Sequence, residues 1–102
     1  MQNIPIESVK DSAGKPNTML LLTRADEQII KIREYGLTKY PNADNWKGIH
    51  VDTWVAAAIR HLFKYVRGEY EDEESGESHL SHALCNLAYA VERIEMEKEN
   101  DT

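Results

Sequence analysis

The sequence predicts an all-α domain: a small three-helix core with an extended N-terminal segment and a long ordered loop between the first and second helices. Apolar residues recur at three-and-four spacing in three stretches, as they do on the buried side of a helix. Glycines, prolines and small polar residues gather between those stretches, where they punctuate the backbone. A chain of 102 residues suits one small domain, 1–102, with a modest core.

Met1 to Thr18 carries Pro5, Gly14 and Pro16 and no helical period. It reads as an extended lead-in with a turn at Ala13-Gly14-Lys15-Pro16. Met19 to Leu22 is a short apolar plug, either strand-like or laid on the core. Thr23 and Asp26 have capping-box spacing, so the first helix is placed at Arg24–Tyr35. Ile29, Ile30 and Ile32 form its apolar side, and Gly36 is its expected stop. Leu37 to His50 is then the long loop. Tyr40 and Trp46 are costly to leave in solvent, so this loop is expected to fold back on the domain.

Asp52 or Thr53 caps the second helix, which ends at Arg67 before Gly68. Val55, Ile59, Leu62 and Val66 make its apolar stripe, with Arg60, Lys64 and Arg67 on another side. His61 falls at the stripe's edge, on the side of Trp54 and Tyr65. Glu69 to Glu77 is an acidic turn reversing at Ser75-Gly76. The third helix runs from Ser78 into the mid-nineties, with Leu80, Leu84, Leu87, Val91 and Ile94 as its expected core stripe. His79, His82 and Asn86 form a second line beside Ala83 and Ala90. Residues 96–102 read as a charged, frayed tail, and there are no internal repeats.

The formal net charge of −6 argues against a broad grip on nucleic acid. Acidic residues crowd Glu69–Glu77 and Glu92–Asp101, leaving Lys31–Arg67 basic and able to attract a small anion. The single Cys85 excludes a disulfide framework within one chain and fits a reducing, cytoplasmic setting. No signal peptide is recognisable, and no run approaches the roughly 20 apolar residues of a membrane span.

Three of the four histidines lie between Arg60 and Asn86, the stretch richest in chemistry. His61, His79 and His82, with Asp72, contain enough donors for a divalent metal such as Mg or Mn. The same imidazoles could instead donate hydrogen bonds to phosphate, and Arg60 could hold phosphate in a bidentate fork. Lys39 is a weaker anion ligand, while Tyr40 and Trp46 could flank a base. Each residue has a plainer reading as well: an edge-of-core histidine, a solvated basic face, or packing aromatics. Glu69 is the residue that would activate water in a hydrolase, or else it orients Arg60 or His61. No serine stands in a recognisable nucleophile pattern.

The order Gly14-Lys15-Pro16, Gly36, Lys39-Tyr40, Asn45-Trp46, Arg60-His61, Gly68-Glu69, Asp72, Glu74-Ser75-Gly76, His79, His82-Ala83 and Asn86 resembles the dATP/dGTP diphosphohydrolase N-terminal domain family. The resemblance covers roughly Lys10 to Arg93 and departs at Glu73, where the family commonly has proline; a looser acidic turn is expected. In longer relatives it implies pyrophosphohydrolysis by a MazG-like all-α module whose paired carboxylates bind Mg²⁺. Glu92, Glu95 and Glu99 have that spacing but run into the tail, so the resemblance carries a link to nucleotides further than it carries catalysis. Three readings follow. The first is a non-catalytic, homo-oligomeric binder of a purine nucleotide or nucleotide-derived signal, a sponge against host defence. The second is a metal-dependent (d)NTP phosphohydrolase, and the third a structural adaptor.

Overall fold

A computed structural model of the chain describes residues 13–100. Three helices carry the fold: α1 (Thr23–Lys39), α2 (Val51–Val66) and α3 (His79–Asn100). Single 3₁₀ turns at Thr18–Leu20 and Asn45–Gly48 precede α1 and α2. α3 is the central element, and α1 and α2 pack on it rather than on one another. Trp54 meets Tyr89 near one end while His61 meets His79 and His82 near the other, so α2 and α3 run antiparallel. Most of the expected lead-in, residues 1–12, lies outside the described residues.

The turn expected at Ala13–Pro16 is present, with Gly14 at φ +77°. Met19 to Leu22 is neither strand nor core. Its first two residues complete a 3₁₀ turn capped by Asn17, and all four side chains are exposed. The capping box at Thr23 does not form: Leu22 is the cap residue and supplies no side-chain bond. Gly36 does not stop α1 either. The helix continues to Lys39, and Tyr40 turns extended at φ −126°, ψ 91°. Pro41 follows directly, and a residue before proline is driven from the α region, whereas one glycine inside a helix costs only about 1 kcal/mol. The inter-helix loop therefore shrinks to residues 40–50, part of it a 3₁₀ turn.

α2 begins one residue before the first expected cap. His50 provides the cap, its Nδ1 accepting from the Asp52 amide at 3.1 Å. Its end matches expectation. Gly68 has φ +92°, its amide donates to the Tyr65 carbonyl, and the Glu69 amide reaches back to Lys64. Those paired bonds form a Schellman motif, which needs the left-handed residue that glycine supplies. The acidic turn is ordered despite Glu73. Asp72 exchanges backbone bonds with Glu77 and Gly76 and accepts the Ser75 amide on its carboxylate at 2.9 Å. Ser78 Oγ accepts from the Leu80 amide at the head of α3. The C-terminal segment, expected to fray from residue 96, stays helical to Asn100.

The buried faces are not the expected ones. α3 buries His79, Ser81, His82, Ala83, Cys85 and Ala90, whereas Leu80, Leu84, Leu87, Val91 and Ile94 are all exposed. On α2, Ala58 is buried and Trp54 and His61 half-buried, while Ile59, Leu62, Phe63 and Val66 face outward. Small side chains explain the choice: Ala58, Ala83 and Ala90 permit a close helix approach and leave room for aromatic and imidazole rings. Against α1, Ile32 is buried and the Cys85 thiol lies 3.9 Å from the Ile29 carbonyl. Burial pushes that thiol up to about 11.

The loop is held by two arginines. Arg93 on α3 donates to the carbonyls of Lys47 and Ile49, and Arg33 on α1 donates to Ala43 at 3.0 Å. Because Ala58 is 1% exposed, Ala58→Leu should cost about 1–3 kcal/mol by overpacking. Urea unfolding monitored by circular dichroism measures this; a cost near zero would show that α2 and α3 do not meet closely at Ala58.

Candidate functional site

The structure divides the predicted site into two neighbourhoods. The first is a compact histidine cluster where α2, α3 and the acidic turn converge. His61 Nδ1 lies 2.8 Å from His79 Nδ1, and the His61 ring stacks on His82 at 4.6 Å between centroids, inclined by only 7°. A hydrogen bond between two Nδ1 atoms accommodates one proton, so at least one of those rings is neutral. His82 Nε2 sits 2.7 Å from Ser75 Oγ, which also accepts the Glu77 amide. Tyr35 approaches His82 edge-on.

Electrostatics follow from this crowding. Burial, then the neighbouring His82 and His79, push His61 down to about 4. Burial also lowers His82, against the opposing pull of Asp72. Burial raises Asp72, but the Ser75 amide and hydroxyl, together with the two imidazoles, outweigh it and hold the carboxyl below its usual range. The cluster thus favours neutral rings at His61 and His82 beside one anchored carboxylate.

Ser75 and His82 are close enough to resemble a nucleophile and its base. However, Asp72 Oδ2 stands 3.9 Å from the same Nε2 that meets Ser75. An orienting acid engages the other ring nitrogen, so the triad arrangement is not made. As for a metal, His61 and His79 direct nitrogens at each other, while Asp72 Oδ2 and His82 Nε2 are both engaged with Ser75. Among the described residues, no three His, Cys, Asp or Glu side chains are gathered to hold an ion. Glu69 lines an open acidic cleft of about 590 Å³ that shares Asp72 and His79 with the cluster and adds Lys64, Glu71, Glu73 and Glu74.

The second neighbourhood is an aromatic cavity of about 330 Å³ between α1, the loop and the middle of α3. Tyr40, Trp46, Trp54 and Tyr89 supply its flat surfaces, Arg33 its charge, and Asn42 and Asn45 further polar groups. Tyr89 is the hub: its ring lies 4.5 Å from Trp54 and 5.4 Å from Trp46, and the Arg33 guanidinium sits 5.6 Å over it. The indole nitrogens of Trp46 and Trp54 are both buried without a hydrogen-bond partner. A buried N–H without a partner costs about 1–3 kcal/mol, so each is a donor in need of an acceptor.

Of the residues expected to bind ligand, Tyr40 and Trp46 line this cavity, and His61, His79 and His82 form the other cluster. Lys39 stands between, ion-paired to Glu74 and 5.3 Å over the Tyr35 ring, and the pairing with Glu74 pushes its amine up. Arg60 is exposed on α2 and Asn86 half-buried on α3, both outside the cluster's contacts. Arg33, Trp54 and Tyr89, which also line the cavity, are not among the residues the sequence singles out. Tyr89 lies seven residues beyond His82, on the same helical line, and that spacing was the available signal.

The family model described as "dATP/dGTP diphosphohydrolase, N-terminal" matches residues 6–102. A Salmonella phage PMBT28 protein described as "dATP/dGTP diphosphohydrolase" is 28% identical over 81 residues. That match takes in 79% of this chain but only 28% of the relative's length. No solved structure matches the chain.

The histidine cluster predicts a pH response. His61 and His82 take up protons more readily in the unfolded chain than in the fold, so stability should fall as pH drops from near 6.5 towards about 4. The partly solvated His61 ring should account for roughly 1–2 kcal/mol of that loss. Thermal melts across this range should show a shallower slope for His61→Phe than for the wild type. Parallel slopes would remove His61 as the cause.

Proposed function

Because the chain belongs to the dATP/dGTP diphosphohydrolase N-terminal family, we propose that it is a nucleotide-binding domain that seats a purine base in the aromatic cavity. It holds the ligand uncleaved, as a sponge for a nucleotide or a nucleotide-derived signal of host defence. One observation carries this reading: Trp46 and Trp54, whose buried indole N–H donors have no partner, line the same cavity as the Tyr89 ring. A purine offers flat faces for stacking together with ring nitrogens and a carbonyl or amine on its edges. A hydrocarbon ligand would leave both donors unpaired.

The cavity volume falls at the lower end of small-molecule sites, enough for a base with part of its sugar. Arg33 then stands where an anionic group would emerge; its fork gives one nitrogen to the Ala43 carbonyl and retains others for phosphate. The histidines expected to meet phosphate each spend one ring nitrogen on a neighbour, His61 and His79 on each other and His82 on Ser75. Retention without cleavage is favoured because Glu34 is the one carboxylate lining the aromatic cavity, whereas Glu69 and Asp72 line a different opening. The phage relative's description favours a second reading, metal-dependent hydrolysis of a (d)NTP, in which the acidic cleft supplies the carboxylates.

Titrating dATP, dGTP, dCTP and dTTP against the intrinsic tryptophan fluorescence tests the base site. Purines should quench and pyrimidines bind at least several-fold more weakly. Trp54→Phe, which retains a flat ring but loses the N–H, and Arg33→Ala should each weaken purine binding by about 10-fold, from interactions worth ~1–2 kcal/mol. Equal quenching by all four nucleotides would sink the assignment. Incubation with Mg²⁺ or Mn²⁺ and chromatography of the extracted nucleotide separates the two readings: intact triphosphate supports the sponge, and pyrophosphate release supports the hydrolase.

A further inference from the structure

The aliphatic stripes left outside the fold are too extensive and too regular for a solvent face. Leu80, Leu84, Leu87, Val91 and Ile94 repeat at intervals of four, three, four and three, the seam of a coiled coil. The parallel stripe on α2, from Ile59 to Val66, lies on the neighbouring helix of the hairpin. The large aliphatic and aromatic side chains of the two stripes are 37–81% exposed. Together they present roughly 900 Å² of apolar area, against about 300–600 Å² for the largest patch on an ordinary monomer. A standard specific interface buries about 800 Å² per partner.

We propose that a second copy of this chain covers this face, making an antiparallel four-helix bundle from two α2–α3 hairpins. Self-association fits the pattern because a heptad seam is complementary to itself, and a two-fold axis makes one patch serve both partners. Charge selects the direction. The α2–α3 connection carries the acidic turn Glu69–Glu77, and an axis along the helices would lay the two copies' acidic turns side by side. An axis perpendicular to the helices, through the seam near Leu87, sets the two turns at opposite ends of the bundle. The interface stands apart from the aromatic cavity, so it holds whether or not that cavity takes a nucleotide.

Sedimentation equilibrium of the full chain at micromolar concentration should give twice the 11.7 kDa chain mass. Leu87→Glu should return it to the single-chain mass with at least a 100-fold weaker association, while circular dichroism stays helical. A disulfide-trapping pair keeps the test sound should that variant unfold: Leu87→Cys should cross-link to itself, and Leu80→Cys should not unless Ile94→Cys is also present. A chain that stays single overturns the proposal, leaving the face to another segment of a longer polypeptide. A Leu87→Glu protein that still doubles, or a Leu80→Cys protein that cross-links to itself, overturns the surface or the direction respectively.

Discussion

The close approach of α2 to α3 is the constraint on which the rest depends. Alanines at 58, 83 and 90 are nearly or fully buried, and in their place larger side chains would hold the helices apart. At that separation His61 reaches His79, and Trp54 reaches Tyr89. The histidine cluster and the aromatic wall are therefore two ends of one packing decision. The histidine end pairs ring nitrogens with its own groups beside an acidic cleft, whereas the aromatic end leaves two indole donors unpaired.

This asymmetry bears on chemistry. Polar groups in a low-dielectric setting are costly unless paired. In the cluster, imidazole, hydroxyl and carboxylate groups pair with one another, which suits a structural junction between α2, α3 and the acidic turn. In the aromatic cavity the indole donors have no internal partner.

The legibility of the sequence follows the same division. Gly68 was readable because a left-handed stop leaves a local signature, and the three helices because their apolar periods are long. The end of α1 was misread since Gly36 is tolerated within the helix and Pro41, five residues later, sets the limit. His50 was missed as a cap because an imidazole nitrogen rarely takes that role. The larger error concerned faces. Apolar periodicity at Leu80 through Ile94 marks a surface that water disfavours, but it does not say whether the cover comes from the same chain. The aromatic cavity was half legible: Tyr40 and Trp46 stood out in a polar loop, while Trp54 and Tyr89 look like ordinary helix aromatics until the fold brings them together.

Cys85 gives the molecule a built-in gauge. Its thiol is closed off between α1 and α3, close to the Ile29 carbonyl, and burial holds it protonated well above neutral pH. The thiolate is the reactive form, so a thiol reagent meets almost none of it while α1 remains docked. Modification at this one atom therefore reports how often the first helix lifts from the central one. Since α1 also contributes Arg33 to the aromatic cavity, the same opening is what a bound ligand would hold shut.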